Sequence, residues 1–159
     1  MSIPTADLCD QFIDELQVAE SYLIGFGGKE MFGGEIYTVK VFDDNVLVKQ
    51  TLASPGKGRV LVVDGAASNY CALMGDNLAT LAMQNDWAGV VINGCIRDAR
   101  QIGEMDVGVY ALGTCPRKSR KAGEGDVQIP VAFAGILFKP GHFLYADEDG
   151  IVVAERDLS

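Results

Sequence analysis

The period of the apolar positions changes several times along the chain, and each change predicts an element. Behind Pro4 and Thr5, the residues Leu8, Phe12 and Ile13 fall on one side of a short segment, which predicts a helix over 6–14 with Thr5 as its N-cap. A glycine-dense stretch follows, with Gly25, Gly27, Gly28, Gly33 and Gly34 suggesting tight backbone turns before a strand over Glu35–Phe42. Asp44 or Asn45 is placed to cap a helix through about Leu52, which Pro55 and Gly56 stop. The run Arg59–Asp64, bounded by Gly58 and Gly65, is continuously apolar at its centre, the pattern of a strand covered on both faces in the middle of a sheet.

Leu78, Leu81 and Ala82 share one face of a helix predicted over Asp76–Asn85, and Asp76 lies in its first turn, where a negative charge suits the positive dipole end. Ala88–Ile92 predicts a second buried strand ended by Asn93-Gly94, Asp98–Ile102 a brief helix, and Val107–Leu112 a third strand. This strand–helix alternation is the mark of an α/β unit with parallel pairing and right-handed crossovers. Residues 113–128 are polar and predict a loop. Its basic run, Arg117, Lys118, Arg120 and Lys121, reads either as a solvated surface or as a lid beside a site. Residues 129–138 and 142–155 read as β-structure, with turns at 139–141 and 147–150.

At 159 residues the chain is expected to form one domain, 1–159, around one core. A net charge of −9 repels phosphate backbones and anionic lipid, so direct nucleic-acid or membrane binding is not expected. Apolar stretches fall short of the about 18 residues that suggest a membrane span, and Asp7 and Asp10 stand where a secretory signal would be apolar, so a cytoplasmic location is expected. Cys9, Cys71, Cys95 and Cys115 form no pair at zinc-ligand spacing and read as buried free thiols. The single histidine, His142, excludes a multi-histidine metal centre and reads as structural. Neither a G-x-G-x-x-G turn between strand and helix nor a P-loop is present.

Chemistry concentrates instead at Gly75-Asp76 and Arg97-Asp98. Strand ends and helix starts in α/β folds converge on one rim, so one helix and one strand between the two pairs bring them together. Backbone amides of the helix start, near Gly75, Asp76, Asn77 and Leu78, can hold an anion. Arg97 can grip carboxylate or keto oxygens, and the carboxylates can hold a hard divalent cation. Such a set suits a small α-keto acid substrate. The plainer alternative makes Asp76 a helix cap and Arg97-Asp98 a surface ion pair.

The segments Thr5–Asp10, Gly25–Gly28 with Phe32–Gly34, Thr38–Asn45, Gly58–Gly65 and Tyr145–Asp147 followed by Asp149–Ile151 form an ordered set. Through them the chain resembles the regulator of ribonuclease activity A (RraA) family and the related class II pyruvate aldolases. The spacing of an acidic residue, twenty positions and Arg-Asp is met by Asp76, residues 77–96, Arg97 and Asp98. The resemblance implies an RraA-like swivelling β/β/α fold assembled as a homotrimer or a dimer of trimers, with sites near subunit interfaces. It further implies that Asp98 ligates Mg²⁺ or Mn²⁺, that Asp76 holds a water on that ion, that Arg97 contacts the pyruvyl oxygen, and that amides from about Leu73 to Leu78 bind the carboxylate. A neighbouring subunit is expected to contribute one more acidic residue. Two activities follow from the likeness. One is metal-dependent cleavage of 4-hydroxy-4-methyl-2-oxoglutarate-type substrates with oxaloacetate decarboxylation. The other is inhibition of an endoribonuclease partner, to which the acidic charge is complementary.

Overall fold

A computed structural model describes residues 3–159. One ten-stranded sheet organises the chain, and strand β3 (Phe32–Lys40) joins its two parts. The first four residues of β3 pair antiparallel with β11 (Phe143–Asp147), which in turn pairs with β12 (Gly150–Ala154), and β12 pairs with β1 (Leu16–Val18). Its last five residues pair in parallel with β4 (Val60–Asp64), followed by β6 (Gly89–Ile96) and β7 (Gly108–Thr114). The short strand β2 (Ile24–Gly25) lies antiparallel on the outer edge of β7. Off this path, β5 (Ala72–Met74) adds to β6, and β8 (Asp126–Val127) to β3.

Alternation along β4 explains its unbroken apolar run. Leu61 and Val63 enter a core with Val48 and Leu52 of helix α2 (Val46–Leu52), Leu78, Ala79 and Ala82 of α3 (Asp76–Gln84), and Ile102 of α4 (Ala99–Gly103). Val60 and Val62 point the other way, into a second core with Leu144 and Ala146 of β11, Ile151 and Val153 of β12, and the hairpin of β9 (Val131–Phe133) and β10 (Ile136–Phe138). Apolar burial on both faces is what a central parallel strand requires. The antiparallel part therefore packs back over the parallel part, and the helices cover the opposite face. This is the β/β/α arrangement expected from the resemblance.

Several expectations are corrected by packing. Helix α1 (Thr5–Phe12) ends earlier than 14 and passes into a 3₁₀ turn over Ile13–Glu15. Thr5 is its first residue, not its N-cap: the amide and hydroxyl of Thr5 donate to the buried Asp147 carboxylate at 2.7 and 2.6 Å. Strand β3 begins at Phe32, within the supposed turn region, because its ring lies across Gly89 of β6 and Gly108 of β7, where any Cβ would overlap it. Gly27 likewise permits close approach to the Val107 carbonyl rather than forming a turn. Strand β6 does not stop at Asn93-Gly94. It continues to Ile96 through a register shift against β7 between Ile92 and Cys95, with Asn93 buried and its amide donating to Asp64.

All four cysteines are free, but only Cys71 and Cys95 are buried. Burial, reinforced by Asp43, pushes the Cys71 thiol up to about 11, so it is unreactive at neutral pH. His142 anchors the start of β11 through its backbone, accepting from Ile36 and donating to Lys139. Among the described residues, no helix is long and apolar enough to cross a membrane.

Candidate active site

Parallel pairing of β5 with β6 creates the rim. Ala72 lies opposite Cys95 and Met74 opposite Ile96, and the Arg97 amide donates to the Met74 carbonyl at 2.9 Å. The residues leaving the two strands, Gly75-Asp76 and Arg97-Asp98, are therefore neighbours. The Asp76 amide donates to Asp98 Oδ2 at 3.0 Å, so the carboxylate of Asp98 caps α3 from another segment of the chain. A Cβ on Gly75 would come within 2.6 Å of Asp98 Oδ2 and 3.3 Å of Arg97 Cγ. Glycine at 75 is required here by close approach, since its backbone is extended.

Asp98 itself adopts the left-handed conformation, at φ 58° and ψ 41°. Aspartate tolerates this region better than most residues, yet the arrangement still costs about 1 kcal/mol or more. The strained turn aims the carboxylate back at the start of α3 instead of along its own short helix. No Arg97–Asp98 ion pair forms among the described residues. The Arg97 guanidinium is exposed and reaches the Pro116 carbonyl at 3.5 Å, leaving its remaining donors available. Nor is Asp76 the cap of α3, whose N-cap is Gly75; the neighbouring amides of Asn77 and Leu78 lie in the first turn, where helices leave donors unsatisfied.

A cavity of about 740 Å³ opens over this rim. Gly75, Asp76, Asn77, Leu78, Arg97 and Asp98 all line it, so the six residues singled out in the sequence are brought together. Two further walls were not legible there. The start of α2 contributes Asn45, Val46 and Lys49, and the segment after β7 contributes Lys118, Ser119 and Lys121. The only sequence signal for the last group is the basic run, whose four charged side chains are exposed while Lys118 and Lys121 also line the cavity. Asp44 is buried, and burial alone would push its carboxyl up. The amides of Val46, Ala122, Gly123 and Glu124 all donate to it and together hold it below the usual carboxylate range.

Among the described residues, no group of three or more His, Cys, Asp and Glu side chains converges as a complete metal cage. The carboxylates on the cavity wall are those of Asp76 and Asp98. This set fits Mg²⁺ or Mn²⁺, hard cations that accept one or two carboxylates and keep several waters.

Comparison with known proteins bears on this site. A family model described as RraA-like, Aldolase/RraA, matches residues 5–153. A protein of Aromatoleum aromaticum named "Putative 4-hydroxy-4-methyl-2-oxoglutarate aldolase" is 53% identical over 158 residues, 99% of each chain. The solved structure of the RNA-processing inhibitor RraA from Thermus thermophilis superposes with a TM-score of 0.95 at 41% identity, covering 100% of this chain and 96% of that one. A structure from Geobacillus kaustophilus described as an S-adenosylmethionine: 2-dimethylmenaquinone methyltransferase gives a TM-score of 0.94 at 54% identity, covering 98% and 97%.

Proposed function

The chain belongs to the RraA-like, Aldolase/RraA family, and on that premise we propose that it is a divalent-metal-dependent lyase. It cleaves 4-hydroxy-4-methyl-2-oxoglutarate-type keto acids to pyruvate and a second keto acid, and it decarboxylates oxaloacetate. Similar proteins carry names of different chemistry, so the weight falls on the site. The observation that carries the reading is the meeting of Asp76, Arg97 and Asp98 on one cavity wall beside the free amides of α3.

In the aldol cleavage the C3–C4 bond breaks, its electron pair passes into the keto group, and the C4 hydroxyl loses its proton to become a carbonyl. Protonation of the resulting enolate at C3 completes pyruvate. In oxaloacetate the same electron flow releases carbon dioxide. Both reactions build negative charge on the keto oxygen, so they need positive charge fixed there beforehand. Arg97 supplies a guanidinium that is always charged, while the amides of Asn77 and Leu78 hold the carboxylate next to the keto group. Asp76 holds the solvent molecule through which the C4 hydroxyl proton leaves. Asp98 would hold Mg²⁺ or Mn²⁺, which would supply Lewis-acid stabilisation of the enolate. Assembly as a homotrimer or dimer of trimers would bring one more acidic residue from the partner subunit.

Pyruvate release from 4-hydroxy-4-methyl-2-oxoglutarate and from oxaloacetate, with added Mg²⁺ or Mn²⁺ and after chelation, tests this. Turnover that disappears on chelation and in Asp98→Ala is expected; full activity in Asp98→Ala overturns the site assignment. A second reading, an inhibitor of an endoribonuclease partner, is favoured by the Thermus structure and by the −9 charge, which suits a basic partner segment. RNA cleavage that is unchanged at saturating protein removes it.

A further inference from the structure

The segment 117–124 is no free loop. At one end the Ala72 amide donates to the Arg117 carbonyl at 2.8 Å, and Lys118 forms a parallel bridge to Ala72. At the other, the Arg120 amide donates to the Asp43 carbonyl at 3.0 Å, and one oxygen of the buried Asp44 carboxylate accepts the amides of Ala122, Gly123 and Glu124 at 3.0, 2.9 and 3.2 Å. The other oxygen takes the amide of Val46 at 3.1 Å, tying the strap to the start of α2. The strap places Lys118, Ser119 and Lys121 on the cavity wall, and the last two bear on the substrate. Ser119 is 4% exposed, and its hydroxyl has no hydrogen-bond partner among the described residues. Lys121 is held by its ammonium, which donates to Asn45 Oδ1 at 3.0 Å, and Asn45 is itself fixed by donating to the Leu73 carbonyl at 3.2 Å.

A cation fixed in this way has a purpose that the keto-acid end of the substrate does not fill. Resting on the aldolase reading above, the substrate is a dianion. Arg97 and the α3 amides account for its keto-acid end, whereas its second carboxylate departs with the other fragment. Lys121 is exposed and, like Lys49 and Lys118 on the same wall, forms no ion pair with any described residue; of the three, it alone has its ammonium held by a hydrogen bond among the described residues. We propose that Lys121, oriented by Asn45 and by the Asp44 clamp on its strap, reads the second carboxylate of the substrate, with the Ser119 hydroxyl as a further donor. Lys121 is thus a specificity residue and Asp44 a positioning residue.

The test compares 4-hydroxy-2-oxoglutarate with 4-hydroxy-2-oxopentanoate, in which a methyl replaces the second carboxylate. In Lys121→Met, KM for the dicarboxylate should rise on the order of 10- to 100-fold while the monocarboxylate keeps its KM, and Lys121→Arg should recover most of the loss. Asp44→Asn should reproduce the same selective loss. Should that variant fail to fold, the Lys121 pair still decides. Equal losses for both compounds, or none, overturn the proposal. Calorimetric binding of 2-oxoglutarate against 2-oxopentanoate separates the two readings. Discrimination that vanishes in Lys121→Met without any turnover supports the carboxylate site and overturns the aldolase. Turnover in a wild-type chain that binds both equally supports the aldolase and overturns the carboxylate site.

Discussion

The parallel part of the sheet and the antiparallel part that packs over it are built from the same kinds of apolar residue, yet they do different work. In the parallel part, β3, β5 and β6 each hand over to a helix, and at the ends of β5 and β6 polar residues follow directly on the apolar runs. Asp76 comes two residues after β5 and Asp98 two after β6, and both line the cavity. In the antiparallel part, β11 turns into β12 through Asp147–Gly150, and its buried polar group, Asp147, is consumed in holding α1. Parallel order produces strand ends without edge partners, and these are free to face a ligand. Hairpins close their own ends and are left with structure to maintain.

This contrast can be broken most severely at the seam. Phe32 of β3 is almost fully buried, and its ring fills the slot made by Gly89 and Gly108. Phe32→Ala should cost about 3–5 kcal/mol of folding stability, read as a drop in the urea midpoint, while the kcat of the folded fraction is retained. A loss of kcat at unchanged stability would mean that the two parts are coupled in function. Arg97→Met probes the other side of the comparison. It should lower kcat about 10²- to 10³-fold, the loss associated with one oxyanion donor, and leave the urea midpoint in place. Its side chain is exposed, and its backbone bond to Met74 survives the change.

Legibility in the sequence follows the same division. Strand β4 could be read because both of its faces are buried, and the rim because charged residues follow an apolar run immediately. The far end of β6 was hidden because Asn93-Gly94 imitates a turn, although Asn93 is buried and bonded to Asp64 within a continuing strand. Strand β5, three residues long, carries too little period to be recognised. Lys121 and Ser119 were obscured for a different reason. A basic polar run looks the same whether water or a cavity faces it, and the Asp44 clamp that decides between them lies some eighty residues away along the chain.

The smallest effect falls on Thr5, where the sequence suggests a helix cap and the structure shows a rivet between α1 and β11. Thr5→Val removes the hydroxyl bond to Asp147 Oδ1 but leaves the backbone amide on Oδ2, and Oδ1 still accepts from the Asp149 amide at 3.0 Å. No carboxylate oxygen is orphaned, so the loss should be about 0.5–1.5 kcal/mol, the net worth of one ordinary hydrogen bond. A cap would act on α1 alone, and its loss would add independently to that of Asp147→Ala, which removes both carboxylate oxygens. A rivet requires the two changes to be non-additive, because each removes the same bond. The double-mutant cycle, measured by urea unfolding, therefore separates the two, and strict additivity would restore Thr5 to the role its sequence suggests.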